Sequence, residues 1–266
     1  TMAFNRAGLM MTKLQSFFGP YLILFKLLLT GLVILSLSRL GLVVWQWDRV
    51  IAATSLPTIF WQGIRADLIM LGMLLVPLAL GMPLLANRIG WKIWQNLVLI
   101  WGVLVIVLIS FMEASTPAFI SQYDLRLNRL FVEYLRYPKE VFATLWQGFR
   151  WPLLIGLTLT VISGVVAEKL LQRWLHTHQK TWPIWKVWLT WPLLLLILAL
   201  MIRSSIGHRP ANPSSFALTP DAMVNSLMLN SAWSVYFAIY NMQHESNAAD
   251  VYGAMTNEAI LAELHE

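Results

Sequence analysis

Five stretches of this chain are apolar over the length of a membrane crossing: residues 18–45, 64–85, 94–112, 151–167 and 183–202. A spanning helix needs about 20 such residues to cross roughly 30 Å of hydrocarbon. The pattern predicts an all-α integral membrane protein with five transmembrane helices. Pro77, Pro83 and Pro192 fall inside these runs. In a membrane they are tolerated because neighbouring helices re-satisfy the freed carbonyls, and kinks are expected there.

Between the third and fourth runs, Leu127, Leu130, Phe131, Tyr134 and Leu135 recur with helical spacing, while Arg126, Arg129 and Arg136 occupy other positions of the turn. This pattern predicts an amphipathic loop helix lying at the membrane surface. After the fifth run, a Pro- and Ser-rich stretch leads to Thr219-Pro220-Asp221. Thr as cap with Pro at the first helical position predicts the start of a juxtamembrane helix. Its residues Met223, Leu227, Asn230, Ser231, Ser234 and Phe237 are only partly apolar. It is therefore expected to lie on the membrane surface or against the base of another domain. From Gln243 the chain turns polar and reads as an approach to a further domain. The expected organisation is a cytoplasmic segment (1–17), a five-helix transmembrane domain (18–203), and a periplasmic juxtamembrane helix with linker (204–266). Thr1 and the second start at Met10-Met11 leave the first residues without structural weight.

Composition strengthens the membrane reading. Of 266 residues, 58% are hydrophobic and 12% charged, and the mean hydropathy of +0.64 exceeds what a water-soluble domain could bury. There are fourteen Trp. Trp45, Trp47, Trp61, Trp91, Trp94, Trp151 and Trp182 stand at the ends of apolar runs, where indole rings favour the interface. The net charge of +6 is scattered between the runs rather than gathered on one polar segment, so no nucleic-acid partner is expected. Absence of Cys excludes disulfides and Cys-ligated metals.

Charge also sets the expected orientation. Arg6, Lys13, Arg88, Lys92, Lys169, Arg173, Lys180 and Lys186 occupy the amino terminus and alternate loops, with Glu168 the only acid among them. That set belongs in the cytoplasm. Asp48, Asp124, Glu133, Glu140 and Asp221 are mixed with Arg on the other side. The protein is thus expected in a bacterial inner membrane, amino terminus inside and carboxyl end periplasmic.

Ionisable residues within or beside apolar runs are the candidate functional groups, because they are expensive there. Arg65 and Asp67 lie two positions apart on one helix and point to nearly opposite sides, so they are not each other's partner. Glu113, at the outer end of the third run, is at a depth where it could meet Arg65. Lys26 is expected to snorkel inward. Arg39 lies toward the outer side, suited either to a lipid phosphate or to a buried partner. Arg126, Asn128, Arg129, His208 and Arg209 are placed at the outer surface, where Arg binds phosphate through two parallel hydrogen bonds or simply anchors the chain. If Arg65, Arg126, Arg129 and Arg209 share one basic pocket, they would select an anionic headgroup. No catalytic residue and no metal ligand set can be assembled. The one close pair, His176 and His178, is expected on a solvated cytoplasmic loop.

Three local patterns add a resemblance that runs from the first helix to about Gln243: Gly63-Ile64-Arg65-Ala66-Asp67; Arg126-Leu127-Asn128 with Tyr134-Leu135 and Glu140-Val141; and Gly207-His208-Arg209-Pro210-Ala211-Asn212-Pro213-Ser214 followed by Asn225-Ser226-Leu227 and Leu229-Asn230-Ser231. In this order they resemble the membrane module of the lipoteichoic-acid-synthase-like phosphoglycerol transferases of the sulfatase and alkaline phosphatase superfamily. The resemblance implies a five-helix module preceding a periplasmic catalytic domain with a Thr nucleophile and a divalent metal (Mn, Mg or Zn). It also implies membrane lipids as partners, phosphatidylglycerol foremost, together with its own or a separate catalytic chain. The catalytic domain is not in this sequence, so the chain itself is expected to need no cofactor and to be inactive alone. Alternative readings are the membrane module of a phosphoethanolamine transferase, or a non-catalytic scaffold or transporter; the odd helix number and lack of a repeat weigh against a transporter.

Overall fold

The computed structural model describes residues 18–85, 90–177, 183–205 and 207–244. Arg6, Lys13, Arg88, His178, Lys180 and Trp182 lie outside the described residues. All regular structure among them is helical: α1 Leu22–Trp45, α2 Trp47–Ala53, α3 Leu56–Leu85, α4 Gly90–Tyr123, α5 Arg129–Tyr134, α6 Pro138–Gly148, α7 Arg150–Thr177, α8 Ile184–Arg203, α9 Ala222–Leu227 and α10 Ser231–Gln243. Five of these, α1, α3, α4, α7 and α8, are long and apolar enough to cross a membrane. The chain is an all-α, multi-pass membrane protein.

The bundle is built around α3, which packs on α1, α4 and α8, while α7 packs on α4 from the far side. Burial follows this order. Half of the most apolar window of α3 is buried, against 11% in α7 and in α8, whose side chains face outward where hydrocarbon would lie. One carbonyl freed by an internal proline is re-satisfied as polar accounting in lipid requires. Pro83 has no amide for the carbonyl of Ala79, and the Trp191 indole donates to that oxygen at 2.9 Å. On the turn before Pro77, Trp101 donates to the Leu74 carbonyl at 2.7 Å.

Two apolar clusters fill the bundle. One, around Ile23, Leu27, Leu78, Met82, Trp94, Val98 and Leu171, occupies the end where α3 stops and α4 starts. The other gathers Leu42, Val50, Ile59, Ile69 and Ile120 with Phe216, Met223, Leu227, Met228 and Trp233. It therefore joins spans to the segments beyond them. At this capped end, α2, α9 and α10 close over the bundle as one packed layer.

Several expectations are corrected here. The second, third and fourth spans continue past their apolar runs, to Leu56, Tyr123 and Thr177. The runs of α3 and α4 reached no further than the polar residues Arg65 and Glu113 near their outer ends, but the end of α8 and the segment after α4 supply partners for these two, and the helices continue past them. The loop helix does not begin at Leu127, which is instead buried. Asn128 accepts from the Leu130 amide and starts α5 at Arg129. A second amphipathic helix, α6, was not anticipated; none of its residues is buried, and Phe142 and Trp146 stack on its exposed surface. The juxtamembrane helix is two helices. The Thr219 hydroxyl bonds to Asn225, leaving Asp221 to accept the Met223 and Val224 amides and cap α9. Asn230 then caps α10. Nor does α9 rest on a surface, since Met223, Val224 and Leu227 are fully buried in the cap. At the other end, Trp94 is a core residue stacked on Trp91 rather than an interface anchor. Lys26 does not snorkel: its ammonium is buried, over the Trp174 ring at 5.3 Å.

Candidate anion-binding site

Two ion pairs stand inside the bundle at the capped end, and each ties a span to the segment after α8. Arg39 of α1 donates through Nη1 and Nη2 to the two oxygens of Asp67 on α3, both at 2.8 Å. Side-chain exposure is 1% and 0%, so neither charge has water as an alternative partner. Arg39 Nε donates to the Leu227 carbonyl at 3.0 Å, and Asn230 Nδ2 donates to Asp67 at 3.1 Å and to the Ala66 carbonyl at 3.2 Å. The guanidinium crosses directly over Gly63. A β-carbon there would stand 2.3 Å from Arg39 Cζ. Gly63 and Asp67, one turn apart, thus form a slot and its counter-charge.

Glu113 of α4 is the centre of the second pair. It accepts from Arg126 Nη1 at 2.9 Å and from the Ser231 amide at 2.9 Å, while its other oxygen accepts from the Ser38 hydroxyl. Ser231 opens α10, so the carboxylate also faces the positive end of that helix dipole. Thr116 and Ser231 share a hydroxyl hydrogen bond of 2.6 Å beside it.

A third ion group lies at the surface. Arg49 of α2 donates through its two terminal nitrogens to Asp124 and through Nε to Asp221, the cap of α9. Asp124 itself has φ 54°, ending α4 in the left-handed region. The Arg49 fork holds both carboxyls below their ordinary range, and in turn the two acids raise the Arg49 guanidinium. Arg49 escaped the sequence reading because it lies just past the end of the first apolar run, where a charge reads as ordinary interface charge.

The basic candidates do not form one pocket. Arg65 does not meet Glu113. It donates to the Ser204 carbonyl at 2.6 and 3.0 Å, where α8 ends in a left-handed residue (φ 42°), and lies 5.2 Å over the Phe216 ring. His208 and Arg209 are exposed on the loop after α8. Arg126 and Arg129, by contrast, share a wall. They border a cavity of about 480 Å³ between α5, α9 and α10, together with Asn128, Asn225 and Ser234. Arg129 is ion-paired with Glu133 at 2.7 Å. Arg126 is 3% exposed, and after Glu113 has taken Nη1, its Nε and Nη2 have no partner among the described residues; the buried Ser234 hydroxyl has none among them either. Ser234 was noted from the sequence only as a polar position on a helix.

Among the described residues, no three His, Cys, Asp or Glu side chains gather as a metal site. His176 is exposed at the end of α7. The arrangement is equipped to hold an anion by charge-assisted hydrogen bonds at the capped end. No protein-family model matches the chain, and no solved structure matches it.

Proposed function

We propose that the chain is the membrane module of a phosphoglycerol-transferase-like enzyme of a bacterial inner membrane, with the capped end facing the periplasm. Its role is to present a phosphatidylglycerol-type lipid and to carry a metal-dependent catalytic domain, in the same or a separate chain. The observation that carries this reading is the attachment of the segment after α8. Leu227, Asn230 and Ser231 are each hydrogen-bonded to a buried charge of a different span, Arg39, Asp67 and Glu113. A segment held only by apolar packing could slide on the bundle; one held by three buried polar bonds has a single register. Such a base suits a domain that must meet lipid headgroups at a set height. The divalent metal of such an enzyme finds no ligand cluster among the described residues, and no step of its chemistry is assigned to them.

The test is lipid retention. The chain, purified in a maltoside detergent and exchanged against equal phosphatidylglycerol and phosphatidylethanolamine, should retain phosphatidylglycerol preferentially by native mass spectrometry. Equal retention of both would overturn the reading.

A further inference from the structure

Arg126 is the least satisfied buried group at the capped end. It sits on the non-helical segment between α4 and α5, and only Nη1 is engaged by an acid. The remaining Nε and Nη2 donors lie along one edge of the planar guanidinium and project parallel hydrogens, the geometry that two oxygens of a phosphate or carboxylate accept together. Buried donors are almost always paired, because desolvating them without a partner is costly. Arg126 and Ser234 both belong to the lining of a cavity large enough for a headgroup; their unpaired atoms are themselves closed to water, so a ligand reaches them by displacing part of that lining.

We propose that the Nε and Nη2 edge of Arg126, with the Ser234 hydroxyl, is a binding site for a phosphate-type oxyanion. Arg126 serves two acceptors at once, Glu113 through one nitrogen and the ligand through the opposite edge. Glu113 therefore fixes the guanidinium plane before any ligand arrives, which reduces the ordering cost of binding. The rest of the wall narrows the ligand further. No acidic residue lines the cavity, so an ammonium group on the ligand would find no counter-charge, while hydroxyls would find the amides of Asn128 and Asn241. Phe237 and Met242 give one side an apolar surface, against which the glycerol and first methylenes of a lipid can pack. The inference rests on the capped end being the headgroup side, and it names the residues that do the holding.

The protein in maltoside detergent, which carries no phosphate, is titrated with short-chain phosphatidylglycerol, with short-chain diacylglycerol and with inorganic phosphate, read by tryptophan fluorescence. Arg126→Lys keeps a cation for Glu113 but has no fork; Ser234→Ala removes the hydroxyl; Ala238→Phe fills cavity space while keeping both Arg126 and Ser234. Phosphatidylglycerol should bind and diacylglycerol should not, and each variant should weaken binding roughly five- to hundredfold. Inorganic phosphate binding with the same sensitivity, but no lipid binding, would keep the oxyanion site and overturn the lipid module. Phosphatidylglycerol binding that is indifferent to all three folded variants would overturn this site and leave the module reading standing. If no probe binds, both fail.

Discussion

Arg39 reaches Asp67 because Gly63 has no side chain to block it, and this makes that glycine a structural requirement. Gly63→Ala would force the guanidinium off its bidentate geometry while leaving both charges buried. A loss of about 1–3 kcal/mol is expected, the range for compromising buried hydrogen-bonded groups. Gly41→Ala is the control, since a β-carbon there meets nothing within 4 Å. Thermal unfolding in detergent would compare the two, and equal melting temperatures would refute the slot. The pair itself obeys a different rule. Breaking it on one side leaves an uncompensated buried charge, whereas replacing both partners removes the desolvation cost together with the attraction. Asp67→Leu should thus destabilise more than the double variant Arg39→Met with Asp67→Leu. The same logic applies to Trp191. Trp191→Phe keeps the ring but leaves the Ala79 carbonyl facing Pro83 unbonded, and about 0.5–2 kcal/mol of stability should be lost in an unfolding titration.

At the level of elements, the cap is held by groups of different depth, and they respond differently to pH. Arg49 joins α2, the end of α4 and the cap of α9 through Asp124 and Asp221, whose carboxyls lie below their ordinary value of 3.8. A depressed carboxyl binds fewer protons folded than unfolded, so its stabilisation is present above the ordinary value and is lost as pH falls through the depressed one. Acid should therefore loosen the cap below about pH 4. Arg49→Met should flatten that acid limb by removing the same stabilisation at pH 7, a small loss there because the group is partly exposed and solvent screens it. Hydrogen exchange of α9 amides across pH 2–5 would measure this, and identical acid profiles for parent and variant would refute it. α6 stands apart from these attachments. It packs chiefly on α7, with Phe142 and Trp146 outward, the pattern of a helix lying in the headgroup region.

For the whole molecule, the segments after the first and fifth spans meet in one cluster, and Leu127, after the third span, packs with Val235 of α10, which requires all three segments on one side of the membrane. Reporter fusions after Asp124 and Asn247 are expected to report periplasm, and fusions after Arg88 and Lys180 cytoplasm. Opposite signals at Asp124 and Asn247 would contradict the shared cap itself. The same signal from all four sites would contradict five crossings.

The number of spans was legible in the sequence because it is a local property. Lipid requires about 20 consecutive apolar residues for each crossing, whatever those residues later touch. That Arg39, Asp67 and Glu113 would need partners was legible for the same reason, since a charge in or beside an apolar run is costly wherever it stands; Arg126, read as a surface residue, was not legible as a buried one. The partners themselves were not legible either. Arg39 finds Asp67 28 positions away and Leu227 188 away, and Glu113 finds the Ser231 amide 118 away. No periodicity carries information over such separations. The span ends shifted for a related reason: polar residues that close an apolar run in sequence continue the helix once a distant segment satisfies them. Helix caps were legible only as residue types. Whether Thr219 or Asp221 caps α9 depends on Asn225 having taken the Thr219 hydroxyl, a contact that exists only once the chain has folded back on itself.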